Sequence, residues 1–179
     1  AALVPMAYVT NESSGTVSVI DVRSKRVVDT IPIGGRPRGL ALDAGRARLY
    51  VSDQSANALQ VIDTASRSVM RRLPLAESPE AIDLSPDGRW LAAAAEEANA
   101  VLLVDLAGVQ VVARITTSGK NPEHAVFSPD GRWLYVSAED AAQVDVIDLS
   151  LRQQLASIAV GARPRGIAFS PDGRRAYVA

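Results

Sequence analysis

The sequence predicts an all-β chain, a β-propeller of four-stranded antiparallel blades, and two recurring marks carry that prediction. The phrase Val19-Ile20-Asp21 returns as Val61-Ile62-Asp63, Val104-Asp105 and Val146-Ile147-Asp148, so one aspartate falls at 21, 63, 105 and 148, in steps of 42, 42 and 43 residues. Pro37, Pro79, Pro122 and Pro164 keep nearly the same step, each about one short strand ahead of a turn that reads Ser-Pro-Asp-Gly in three of the four units. A period of this length, holding several short strands, is the sequence form of a propeller blade.

The unit from 121 to 162 is the clearest. Glu123 to Phe127 is strand A, Trp133 to Ser137 strand B, Gln143 to Ile147 strand C and Gln154 to Val160 strand D, each rich in Val, Ile, Leu or aromatic residues. The A–B turn reads Pro129-Asp130-Gly131, with Pro86-Asp87-Gly88 and Pro171-Asp172-Gly173 as its copies. Proline presets the first turn dihedral, aspartate accepts a main-chain hydrogen bond, and glycine takes the position where φ is positive. The first copy reads Asp43-Ala44-Gly45-Arg46; its length is kept, which predicts a different turn type and no lost strand. Asp21, Asp63, Asp105 and Asp148 close strand C and are read as acceptors in the C–D hairpin. Their spacing sets each in a separate blade at one radial level, too far apart to share an ion.

The chain therefore divides as one domain over 1–179, with units 1–35, 36–77, 78–120, 121–162 and a partial 163–179. In the first unit Ala7 to Thr10 is a B strand, Thr16 to Ile20 a C strand and Val27 to Ile33 a D strand; Arg165 to Phe169 and Ala176 to Ala179 supply a last A and B. The last A strand can close a ring beside the first B strand, but Tyr177-Val178-Ala179 then competes with Ala7-Tyr8-Val9 for one place. That surplus favours a section of a larger propeller, or strands exchanged between copies.

Composition excludes several function classes. With 19 basic and 20 acidic residues, no broad attraction to nucleic acid or anionic membrane is expected, and the few aromatic residues do not interleave with a basic stripe. The absence of cysteine removes disulfides and thiolate chemistry, and a single histidine, His124, removes a zinc site built on several imidazoles of this chain. No apolar run reaches transmembrane length, and Ala1 to Met6 lack a signal-peptide pattern. Gly34-Gly35 is a turn and not a phosphate loop, and no serine stands in a nucleophile elbow. No catalytic residue, metal ligand set or cofactor is read from the residues.

Tyr8-Val9-Thr10-Asn11, Gly15-Thr16-Val17-Ser18-Val19-Ile20-Asp21 and Gly35-Arg36-Pro37-Arg38-Gly39 resemble the YVTN family of β-propeller repeats, with echoes at Tyr50-Val51-Ser52, Tyr135-Val136-Ser137 and Tyr177-Val178-Ala179. The resemblance implies a bacterial or archaeal protein of the periplasm, cell envelope or cell surface, with seven or eight blades when complete. Similar propellers include surface-layer proteins, lactonase-like proteins, the d1-haem domain of cytochrome cd1 nitrite reductase and propellers of quinone-dependent or amine-oxidising systems. Their scaffold words match here; no catalytic set carries over. One unit departs from the pattern, with Ala92-Ala93-Ala94-Ala95 where the others place tyrosine and larger residues. A narrow layer packed against neighbours such as Trp90 accounts for it, and room for a ligand is the alternative.

Strand A of each propeller blade lines the central channel, which gathers the residues after the marker prolines at one mouth. The register sets Arg38, Glu80, Glu123 and Arg165 at one level and Gly39, Ala81, His124 and Gly166 at the next. Mutual neutralisation explains such a ring without a ligand. The functional alternative is that Arg38 and Arg165, helped by Arg36 and Arg163, hold an anionic small molecule, a cofactor carboxylate or an acidic partner loop. His124 has the chemistry of a general base, an axial haem ligand or a lone metal ligand, against a plain hydrogen-bonded histidine after the one-residue insertion in Thr116 to Asn121. The leading expectation is a noncatalytic scaffold binding a protein partner or small ligand. The rivals are a redox or hydrolytic propeller enzyme domain with its cofactor ligands elsewhere, and a cell-envelope structural module.

Overall fold

The structure, a computed structural model, describes residues 5–179, the side chain of Ala44 excepted; the start of the Ala1 to Met6 stretch lies outside the described residues. β1 (Met6–Asn11), β2 (Thr16–Asp21) and β3 (Arg26–Pro32) form a three-stranded sheet. Three four-stranded sheets follow: β4 (Pro37–Asp43) to β7 (Ser68–Pro74) through β5 (Arg48–Asp53) and β6 (Ala58–Asp63); β8 (Pro79–Leu84) to β11 (Gln110–Thr116) through β9 (Trp90–Ala95) and β10 (Ala100–Asp105); and β12 (Pro122–Phe127) to β15 (Gln153–Ala159) through β13 (Trp133–Ala138) and β14 (Gln143–Asp148). β16 (Ile167–Phe169) and β17 (Ala176–Val178) form a two-stranded sheet. Each sheet is an antiparallel meander in chain order. Ring closure of the last A strand on the first B strand is not what forms, because β16 pairs with β17, its neighbour across a tight turn. No described helix is long and apolar enough to cross a membrane.

The turns form for local reasons. Asp87, Asp130 and Asp172 each accept the main-chain N–H two residues on, at 3.0 to 3.1 Å, while Gly88, Gly131 and Gly173 stand at φ 66°, 71° and 69°. The preceding serine supports them: Ser85 Oγ donates to Asp87 at 2.5 Å and accepts Trp90 N–H at 2.8 Å. The departing Asp43 to Arg46 copy is a short 3₁₀ turn over Ala44–Arg46, in which Asp43 accepts the Arg46 N–H at 3.1 Å. Asp21, Asp63, Asp105 and Asp148 accept N–H groups in the C–D turns, including those of Arg23, Ser66, Ala107 and Ser150.

The apolar core lies between sheets. Tyr50, Leu59 and Val61 meet Ile82, Leu91 and Leu102 across one interface; Ala92, Ala94 and Val101 meet Phe127, Leu134 and Ile147 across the next. The alanine run is completely buried, so its small side chains let the facing Phe127 and Leu134 fill the layer.

A hydroxyl on strand B locks neighbouring sheets together. Thr10 Oγ1 donates to the Arg38 carbonyl at 2.9 Å, Ser52 Oγ to the Glu80 carbonyl at 2.5 Å, and Ser137 Oγ to the Arg165 carbonyl at 2.6 Å. Ala94 occupies the fourth such place, so the Glu123 carbonyl has no such donor. Ser52 is fully buried and also accepts the Gly39 N–H at 2.8 Å. Ser52→Ala strands both groups and is expected to cost about 1–3 kcal/mol, measured by denaturant unfolding.

Candidate functional site

Strand A of each four-stranded sheet carries a register irregularity directly after its marker proline, between Pro37 and Leu40, Pro79 and Ile82, and Pro122 and His124. A bulge re-aims the side chains beside it. Arg38, Glu80, Glu123 and Arg165 consequently line one cavity of about 380 Å³, with Gly39, Ala81, His124 and Gly166 at the adjoining level. Arg36 and Arg163 stand outside its wall and reach its rim through carboxylates.

Those carboxylates form a second ring that the marker prolines do not reveal. Glu12, Gln54, Glu96 and Glu139 each follow a B strand, again in steps of 42, 42 and 43. Main-chain bonds seat them: the N–H groups of Gln54, Glu96 and Glu139 donate to the carbonyls of Arg36, Ser78 and Asn121, each at 2.9 Å. Arg38 bridges the rings, with Nε on Glu80 at 2.6 Å and Nη1 on Glu12 at 2.8 Å. Arg36 also pairs with Glu12, and Arg163 with Glu139. Arg165 Nη2 lies 2.9 Å from Glu139 and 3.9 Å from Glu123. Gln54 donates to the remaining oxygen of Glu80.

Burial and hydrogen bonds together set the proton affinities. Hydrogen bonds from Arg36 and Arg38 hold Glu12 below the usual carboxylate range. Burial raises Glu80, with Arg38 opposing it. Burial, and then the hydrogen bond shared with Glu139, push Glu123 up to about 7, while Glu139 is held low by that same bond and by Arg165 and Arg163. One proton is therefore held between the two carboxylates near neutrality. Burial lowers His124, partly offset by Asp83, whose carboxylate accepts the Phe127 N–H at 2.9 Å. His124 Nδ1 faces the Ile167 N–H at 3.4 Å, which leaves the proton of the neutral ring on Nε2.

A model of the Cytochrome D1 heme domain family matches residues 95–179, just under half of the chain. The structure of Kuenenia stuttgartiensis hydrazine synthase superposes with a TM-score of 0.89 at 23% identity, over 97% of this chain and 51% of that one. The fold is a β-propeller. Its sheets are blades, and the chain spans about half the length of that solved structure. No curated protein matches. The described mouth of this propeller does not fit a haem: the side chains of Glu12, Arg38, Glu80, Glu123 and Arg165 line it, and its one imidazole already faces a main-chain N–H through Nδ1. No group of three or more potential ligands is placed to hold a metal ion among the described residues.

Proposed function

We propose that the protein is a noncatalytic propeller scaffold that binds a small carboxylate-bearing ligand at the channel mouth, with Arg165 as the main contact and Arg38 beside it. The orientation of Arg165 carries this reading. Its side chain is 54% exposed at the cavity lip, and its contacts with described carboxylates both run through Nη2, leaving Nε and Nη1 for a ligand. A guanidinium fork with free donors over a cavity suits a planar carboxylate. Arg38 is less available, since Glu80 and Glu12 occupy it. The periplasm or cell surface is proposed as its location on the repeat resemblance.

Calorimetric titration with succinate, against chloride at matched ionic strength, tests the reading. Saturable binding is expected, weakened about tenfold or more in Arg165→Ala. Titration of the unsubstituted protein without saturation would sink it.

A further inference from the structure

Glu123 is the inner-ring carboxyl to which the repeat supplies no nitrogen donor; the proton it shares with Glu139 stands in that place. Its counterpart one blade earlier, Glu80, receives Arg38 Nε at 2.6 Å and the Gln54 amide. The residue at the place of Gln54 before Glu123 is Glu96, itself an acceptor, and it takes a hydrogen bond from Ser78 Oγ at 3.1 Å. The main chain repeats the deficit, since Ala94 stands where Ser52 serves the Glu80 carbonyl. Arg165 Nη2, at 3.9 Å, is beyond hydrogen-bond reach of Glu123 and sits closer to Glu139. The Glu123 side chain is only 9% exposed, yet it lines the cavity. Once that shared proton is given up, a carboxylate so far out of water calls for another donor, and the cavity is the direction from which one can arrive.

We propose that the ligand supplies that donor as a primary ammonium group, so that the mouth recognises a small zwitterion, with the ammonium on Glu123 and the carboxylate on Arg165. The inference rests on the reading of the mouth as a carboxylate site and adds the second half of the ligand. Arg165 and Glu123 are neighbours, so the two charges of the ligand must also be close together, as in an α-amino acid and not a long ω-amino acid. Glu123 is then a specificity-determining residue. It rewards an amine that Arg165 does not detect.

L-alanine and propionate differ by the α-ammonium alone and form the test pair, titrated calorimetrically into the unsubstituted protein. L-alanine is expected to bind about tenfold or more tightly than propionate, the effect of one charge-assisted contact. Glu123→Gln is expected to shrink that ratio, and far-UV circular dichroism confirms its fold. Equal affinity for the two ligands in the unsubstituted protein, or a ratio that survives Glu123→Gln, overturns the zwitterion while leaving the carboxylate site standing. If succinate, propionate and L-alanine all fail to saturate, the mouth is not a carboxylate site and both readings fall together.

Discussion

Gly39→Ala is expected to destabilise the propeller by about 1–3 kcal/mol, the range of an overpacked contact, read as a fall in thermal midpoint of about 2–4 °C for each kcal/mol. A Cβ there would lie 2.7 Å from Ala81 Cα, 2.7 Å from the Ile82 nitrogen and 2.9 Å from the Glu80 carbonyl oxygen. All three are main-chain atoms, so no rotamer change can give way. The conflict is one of space, since the backbone at Gly39 is not in the left-handed region. Here β4 and β8 lie close together, and the adjacent Arg38 reaches Glu80 at 2.6 Å. The cost should fall on the mouth as well as on stability. Gly166 holds the same register position in the last blade, where a Cβ would meet nothing within 4 Å. Gly166→Ala is the matched control, with an expected change within about 1 kcal/mol.

The contrast between these two glycines shows what the repeat makes legible and what it hides. Strands and turns are local matters: alternating Val and Ile before an aspartate, or Pro-Asp-Gly between two apolar runs, state their conformation within a few residues. Counting from the prolines then finds the inner ring, because β4, β8 and β12 each start at their marker proline and the residue after Pro164 keeps the same place in the repeat. The outer ring of Glu12, Gln54, Glu96 and Glu139 keeps an equally regular step, but single polar residues after a strand look like any solvated turn. Only the packing of blade on blade gives Glu12, Gln54 and Glu139 their partners Arg38, Glu80 and Arg165 on the next A segment. The clamp made by Thr10, Ser52 and Ser137 is hidden for the same reason, as its acceptors lie 28 residues onward. The pairing of Arg36 and Arg163 with outer-ring glutamates also depends on this contact between blades, and it leaves Arg165 as the more available cation. The last A strand follows both the local turn and the repeat over ring closure, since a hairpin across Pro171-Asp172-Gly173 closes a much shorter loop than pairing with β1.

Glu123→Gln is expected to stabilise the protein at pH 8 by about 1–3 kcal/mol and to change little near pH 4.5. In the folded protein Glu123 keeps its proton up to about pH 7, because of burial and then because of Glu139, whereas in the unfolded chain it loses it in the ordinary carboxylate range. Between those limits the folded state binds more protons than the unfolded state, so stability falls as pH rises. Above pH 7 the buried carboxylate is charged and its cost is fully present. A glutamine has no charge to bury, and its amide can donate to Glu139 as the protonated Glu123 does. Glu139 acts in the opposite sense: its depressed pKa contributes stability above the unfolded carboxylate range and loses it as pH falls. The unsubstituted protein should therefore gain stability on acidification from pH 8 to about 5, and Glu123→Gln should flatten that limb while keeping the decline at lower pH. Denaturant unfolding across this range, performed on both proteins without ligand, checks the shape. Parallel curves above pH 5 would mean that Glu123 is ionised throughout and that the two carboxylates hold no common proton.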